Sequence, residues 1–417
     1  MRLNAWLFLS VVAVVPGLAF SPADAGMFDR NPYSGTSGAT ASRDPLKQCN
    51  GADPVAAIVG CTAILNARDS TLGMRSGALL NRGRAYLARD QADRALADFE
   101  QAIKLDPKNS RAIANRGDYY QSKGDFGHAL EDYNQAIAAN PKDFEAYSQR
   151  GNLRLLAGDP EKSIPDYDQA IAVNPKFAAA YANRGEAYRI QGESDRAIQS
   201  FTQAIQLEPK FAAAFDNRGL AYIDKADYAH AIADFDATLK LDPKMTAVYT
   251  HRASAYAASG AKDRALADYD AALKADPSDP FVYVSRGNLY QDQSELDRAI
   301  ADYDRAIMAD RTYADAFNNR GAAFARKGDY NRAVVDFDQA ITLDPQLPDV
   351  FANRGLAYLK TGQYARAVAD LDKALVRNAR DASSLYNRGV AKQQAGDKPG
   401  GDADVARART MDPNVGH

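Results

Sequence analysis

The sequence predicts an all-α fold, a solenoid of about ten tandem 34-residue helix–turn–helix repeats preceded by a degenerate N-terminal cap hairpin. Three observations predict it. An Arg followed by Gly or Ala returns every 34 residues without insertion, the small residue being Gly83, Gly117, Gly151, Gly185, Gly219, Ala253, Gly287, Gly321, Gly355 and Gly389. Apolar residues around it recur at helical spacings of three and four. Each repeat is halved by a turn such as Gly124-Asp125, Gly158-Asp159 or Gly328-Asp329, and most end on an Asp-Pro or Asn-Pro step.

Composition sets looser bounds. A length of 417 residues would suit two or three ordinary domains, and 46% apolar with 25% charged residues is globular. A net charge of -3 excludes a strongly basic nucleic-acid binder. Two Cys are too few for a disulfide-dense scaffold or an all-cysteine zinc site.

Taken in order, Met1-Arg2 is followed by an apolar run from Leu3 to about Phe20, then Ala23-Asp24-Ala25. This reads as a signal peptide, residues 1–25, cleaved after Ala25. The rival is an uncleaved anchor, but the run is short for a span and Pro16 breaks it. Residues 26–45 are rich in Gly, Ser, Pro and Thr and read as a flexible leader. Residues 46–75 form the cap hairpin, with Cys49 ending a short first helix and Cys61 in the second. In an oxidising compartment the natural reading is a Cys49–Cys61 disulfide, contributing about 2–4 kcal/mol. A redox role is the alternative, although no Cys-x-x-Cys spacing supports it.

The ten repeats occupy 76–109, 110–143, 144–177, 178–211, 212–245, 246–279, 280–313, 314–347, 348–381 and 382–415. In each, Gly in the turn can end the first helix in a left-handed conformation and Asp can cap the second. The step before proline then stops the second helix. Three after the small residue an aromatic recurs (Tyr86, Tyr120, Tyr188, Tyr290), twelve after a small residue (Ala95, Ala129, Ala197), and sixteen after an aromatic again (Phe99, Tyr133, Tyr167, Phe337). These positions resemble the tetratricopeptide repeat family. The resemblance implies a right-handed superhelix whose concave groove binds peptides or protein segments. Departures are Arg154 and Lys392 for the first aromatic, Leu371 and Val405 for the second, Arg311 and Ala379 for the proline, and Pro399-Gly400-Gly401 in the last repeat. The last suggests a modified end cap.

A helical wheel puts the Arg before each small residue between two buried stripes: Arg82, Arg116, Arg150, Arg184, Arg218, Arg252, Arg286, Arg320, Arg354 and Arg388. A charge there needs a partner. The candidate lies fifteen after the small residue: Asp98, Asp132, Asp166, Asp234, Asp268, Asp302, Asp336, Asp370 and Asp404, with Ser200 breaking the series. The expectation is an Arg–Asp ladder, within or between adjacent repeats; anion binding by the Arg column is the alternative.

Two before the small residue, on the face the wheel leaves unburied, come Asn81, Asn115, Gln149, Asn183, Asn217, His251, Ser285, Asn319, Asn353 and Asn387. A carboxamide both donates to and accepts from a peptide group. The column resembles the asparagine ladder in O-GlcNAc transferase repeats, which implies contact with an extended ligand backbone. The other reading is that Asn tightens adjacent repeats. Selectivity would fall to neighbouring groove positions: Arg84, Arg111, Asp118, Glu145, Glu186, Arg189, Asp216, Asp224, Asp292, Asp315, Arg326, Asp349 and Lys360. This mixed set lacks the basic cluster of a carboxylate clamp and disfavours nucleic acid.

No catalytic chemistry is read. His128, His230, His251 and His417 are scattered, and His128 and His230 take positions that hold Arg or Lys elsewhere, which reads as exposure. Doublets such as Asp268/Asp270 and Asp302/Asp304 point apart on a helix and read as surface. There is no phosphate loop or nucleophile elbow, and no cofactor or metal is expected. The expectation is an exported, periplasmic or secreted, non-enzymatic scaffold that binds a protein or peptide segment, with no nucleic acid and no stable membrane insertion once the signal is cleaved. The alternative is an accessory factor organising an envelope polysaccharide or secretion assembly through its outer surface. Oligomeric state stays open.

Overall fold

The computed structural model describes residues 44–347 and 349–416. The expected signal peptide and almost all of the leader lie outside the described residues. Among the described residues there are 22 helices and no strand. The chain divides into two compact halves, Met1–Ala221 and Tyr222–His417.

The N-terminal half contains α1 (Pro45–Cys49), α2 (Pro54–Asn66), α3 (Leu72–Leu87), α4 (Ala92–Leu105), α5 (Ser110–Ser122), α6 (Phe126–Ala139), α7 (Phe144–Leu156), α8 (Pro160–Val173), α9 (Ala178–Ile190), α10 (Ser194–Leu207) and most of α11 (Ala212–Asp224). The Asp44 and Asp53 carboxylates accept from the Leu46 and Val55 amides and so cap α1 and α2. Pro45 and Pro54 occupy first-turn positions where no amide hydrogen is needed. A disulfide joins Cys49 to Cys61, both buried. Gly60 allows the close approach: a Cβ there would lie 2.5 Å from the Gln48 side chain and from the Pro45 carbonyl. Helix α3 starts at Leu72, inside the span predicted for the cap, because the Thr71 hydroxyl accepts from the Met74 amide and opens the helix early.

The C-terminal half continues with α12 (Tyr228–Leu241), α13 (Ala247–Ala258), α14 (Lys262–Ala275), α15 (Pro280–Asp292), α16 (Leu296–Ala309), α17 (Ala314–Arg326), α18 (Tyr330–Leu343), α19 (Val350–Lys360), α20 (Tyr364–Arg377), α21 (Ala382–Gln394) and α22 (Lys398–Met411).

One hairpin shows how the sequence builds the others. Asp125 caps α6 by accepting from the His128 amide, and Asn140, before Pro141, ends it in extended geometry at φ -140°. Between the helices of each repeat, one residue has positive φ; seven repeats place Gly there, while Asp90, Ala226 and Ser294 accept the strain in the other three. The second-helix aromatics Phe99, Tyr133, Tyr167 and Phe201 are fully buried against the first-helix glycine. A Cβ on Gly151 would sit 2.7 Å from the Tyr167 ring, so a larger residue there would have to displace the ring.

Among the described residues, first helices of successive repeats touch in each half, as α5 touches α7 and α17 touches α19, while second helices do not. First helices therefore line the inner side of each half and second helices the outer.

Candidate functional site

The buried ion pairs set the frame. Arg320 Nε and Nη2 donate to Asp336 of the same repeat at 2.9 and 2.7 Å. Its remaining nitrogen, Nη1, donates to Asp304 of the preceding repeat at 2.6 Å. Arg354 repeats the arrangement with Asp370 and Asp338, and Arg388 with Asp404 and Asp372. Arg252 and Arg286 do the same with Asp268/Asp236 and Asp302/Asp270. The guanidinium fork suits this use, with two parallel bonds in one direction and a third in another.

In the N-terminal half, Arg82, Arg116 and Arg150 grip Asp98, Asp132 and Asp166 in the same two-bonded manner. Arg82 finds the Thr62 hydroxyl of the cap for its third bond, and Arg150 finds Asn134. Arg184 meets Ser200 weakly at 3.3 Å and spends its charge on Asp168, 2.7 Å away in the preceding repeat. Arg218 donates to Thr202, and Asp234 is buried at 6% exposure. The arginine column is thus occupied by internal partners. The Asp doublets are not simply surface: the first member holds its own repeat's Arg and the second holds the next one's.

Two departures from the repeat pattern fit the same chemistry. Arg154, which replaces an aromatic, adds a second cation to Asp166, and Lys392 adds one to Asp404. Elsewhere the aromatic carries a cation from the second helix: Arg196 lies 3.9 Å over the Tyr188 ring and Arg298 4.0 Å over Tyr290. His128 and His230 sit in this role, tilted against Tyr120 and stacked on Tyr222 respectively and bonded to Asp125 and Asp227, so they are exposed but not idle. The Asp125 bond raises the His128 pKa.

The amide column lies on the inner side, but half-buried rather than unburied. Several members reach the preceding repeat or the cap: Asn81 Nδ2 donates to Asn50 at 2.8 Å, Asn183 to Asn152 at 2.8 Å, Asn319 to Asn288 at 3.1 Å and Asn353 to Asn318 at 3.3 Å. Asn115 instead donates to the Arg111 carbonyl of its own helix. His251 packs its ring against Phe235 at 5.8 Å. Gln149, Asn217 and Asn387 share the half-buried setting.

The residue after the glycine carries a pattern that column-by-column reading misses. Where the second helix buries a tyrosine, that residue accepts its hydroxyl: Tyr133 donates to Asp118 at 2.7 Å, Tyr167 to Asn152 at 2.9 Å and Tyr303 to Asn288 at 2.7 Å. Tyr269 meets Ser254 at 3.4 Å. Where the second helix carries Phe99, Phe201, Phe235 or Phe337, the position holds Arg84, Glu186, Leu220 or Ala322, since no hydroxyl needs an acceptor. The signal was present in the sequence as two columns that vary together.

Of the expected selectivity residues, Asp118 is therefore engaged by Tyr133 and only partly exposed. Burial pushes its pKa up to about 7; the Tyr133 bond and Arg84 pull it down, and Glu145 adds to the rise. Glu186 and Arg189 pair bidentately with each other, and Arg326 donates to the Gln291 carbonyl at the end of α15. Among the described residues no cluster of His, Cys, Asp or Glu could hold a metal ion, and no helix is long and apolar enough to cross a membrane.

Tetratricopeptide repeat family models match residues 76–109, 148–210, 217–280 and 353–413, and a TPR repeat model matches 117–158, 287–328 and 323–362. No curated protein matches the chain. Among solved structures it is similar to a tetratricopeptide repeat protein from Parabacteroides merdae, at 21% identity over 60% of this chain and 98% of that one, TM-score 0.47. It is similar to YrrB, described as a TPR protein with an unusual peptide-binding site, at 23% over 43% and 93%, TM-score 0.36. It is also similar to PilW, described as a type IV pilus biogenesis factor, at 23% over 48% and 93%, TM-score 0.46. At these scores the likenesses add nothing to the helix pairing described above.

Proposed function

The chain belongs to the tetratricopeptide repeat family, and on that premise we propose that it is an exported, non-enzymatic scaffold that holds an extended segment of a partner protein along the inner face of its first helices. The family fold is a protein-interaction scaffold, which is the coarse reading. The observation that carries the finer one is the amide column. Each inter-repeat bond takes one amide hydrogen, and a carboxamide has a second hydrogen and an acceptor oxygen to offer. A side chain already held in place loses less entropy when a ligand backbone arrives. Binding through peptide groups would be tolerant of ligand sequence. The basic start, apolar run and Ala23-Asp24-Ala25 support export to the periplasm or beyond.

Asn115 gives the cleanest test, because its side-chain hydrogen bond stays within its own helix rather than joining two repeats. Peptides selected from a random display library against the purified chain are the probe. Asn115→Ala should weaken them about tenfold, the loss of one net hydrogen bond, with the melting curve unchanged. Unchanged affinity in this variant and in Asn183→Ala would reject the inner-face reading.

A second reading, action through the outer surface, is favoured by Met308, Val335 and Val376, which are 71%, 67% and 87% exposed on the second helices of the C-terminal half.

A further inference from the structure

Within the C-terminal half, one rim of the inner side is unlike the rest. Three equivalent positions, 34 residues apart, form a column there: Phe281, second in α15, Asp315, second in α17, and Asp349, just before α19. Each lies four residues before the amide column and so shares the stripe of Ser285, Asn319 and Asn353. Phe281 is 49% exposed. Among the described residues of this half it is the only exposed large apolar side chain on a first helix; Leu241, Met308, Val335, Val376 and Met411 lie on second helices. The two carboxylates are also unusual. Asp279, Asp329 and Asp381 accept from amides of the helices they open, whereas Asp349 opens α19 without such a bond. Burial pushes the Asp315 and Asp349 pKa values up, helped by the carboxylates Asp344 and Asp381 respectively, and among the described residues no cation or hydrogen-bond donor offsets the rise.

We propose that this rim binds a basic segment of the partner in polyproline II conformation, with an apolar side chain on Phe281 and a lysine or arginine three and six residues along on Asp315 and Asp349. The inference rests on the inner-face reading above and adds a sequence preference to it. Charge selects the occupant: two carboxylates partly stripped of water and lacking a cation gain most from a ligand that brings one to each. Spacing selects the conformation. Helices α15, α17 and α19 touch in succession, which sets neighbouring axes about 8–10 Å apart. A polyproline II chain returns a side chain to the same side every three residues, about 9 Å along, whereas a β-strand does so every two residues, about 7 Å along. Only the first stays in step with the repeats. Polyproline II has no internal hydrogen bonds, so its peptide groups stay open to Asn319 and Asn353. The cations of the same stripe do not oppose the ligand. Arg326 and Lys360 lie eleven residues on from Asp315 and Asp349, about 16 Å along the helix axis, and Arg326 is bonded to the Gln291 carbonyl.

Fluorescence anisotropy of labelled peptides on the purified chain is the measurement. The probe carries one leucine and two lysines at steps of three, with proline and alanine between them, and is made in both chain directions. One direction should bind, with affinity falling as salt is added. Moving the lysines to steps of two, or replacing them with glutamates, should weaken binding about tenfold or more; neither comparison needs a protein variant. The double variant Asp315→Asn, Asp349→Asn should weaken the lysine probe by a similar factor and leave a glutamine-substituted probe unaffected. Its melting curve should be no lower than the parent's, because neither carboxylate holds an internal bond. Phe281→Ala should cost about fivefold. No binding in either direction, equal affinity at steps of two and three, or indifference to the Asp pair overturns the proposal. Any of these results beside library peptides that still respond to Asn115→Ala would strike this rim and leave the inner-face reading standing. Library peptides indifferent to Asn115 and Asn183, beside a lysine probe that needs the Asp pair, would strike the amide column and keep the rim.

Discussion

Replacing Arg320 with Ala tests how the repeats are joined. The guanidinium is 20% exposed and divides its bonds between Asp336, 6% exposed, and Asp304, 49% exposed. Without Arg320 the Asp336 carboxylate stays buried with its main counter-charge gone, which costs about 3 kcal/mol. Asp336→Ala removes the buried charge itself and leaves the guanidinium beside Asp304 and water, costing about 2 kcal/mol. Asp304→Ala breaks a water-exposed pair and costs about 0.5 kcal/mol. If Arg320 and Asp336 act as a pair, the double variant costs about 3 kcal/mol, not the sum of about 5, a coupling of about 2. Repeat arrays need not unfold in one step, so the measurement is native-state hydrogen exchange on peptides from α17 and α18 rather than a global melt. Additive costs would refute the pairing. Equal coupling to Asp304 and Asp336 would refute the argument that burial sets the strength.

Two further outcomes follow. The unfolded Asp118 releases its proton near pH 4, whereas the folded one holds it to about 7, so stability falls as pH rises through that window. Asp118→Asn keeps an acceptor for Tyr133, as Asn152 and Asn288 serve Tyr167 and Tyr303; urea denaturation at pH 8 should show a gain of about 1 kcal/mol that vanishes at pH 4, and a pH-independent effect would refute the assignment. Ala226 sits at φ 57° where seven other repeats place Gly, so Ala226→Gly should stabilise the C-terminal half by about 0.5–1 kcal/mol despite the added chain entropy; a loss in thermal melts would show the turn to be unstrained.

The helices and their order were legible because packing repeats the same residue at the same step, so Gly83 and its successors could be found without knowing what they touch. The Arg–Asp pairing was legible for a related reason, since a charge between two apolar stripes must be answered. The third bond of each Arg was not, because Asp304 and Asp338 look solvated on a wheel drawn for one helix, and only the neighbouring repeat brings Arg320 or Arg354 to them. The amide column was misplaced onto an unburied face for that reason too: Asn183 is half covered by the repeat that carries Asn152. The tyrosine acceptors escaped because each column was read alone, whereas Tyr133 and Asp118 make sense only together. The start of α3 depended on a single hydroxyl, Thr71, outside the periodic pattern.

The repeats that carry both Asp residues therefore hold half of two ion clusters each, a grip for their own arginine and an acceptor for the next. Any two of these repeats cut at the same phase can be spliced and their charges still match. An array of this kind can lengthen or shorten by unequal recombination in whole steps of 34 residues, while a gain or loss of one residue would strand an arginine. At the cap a hydroxyl stands in for the second carboxylate, since Arg82 donates its third bond to Thr62.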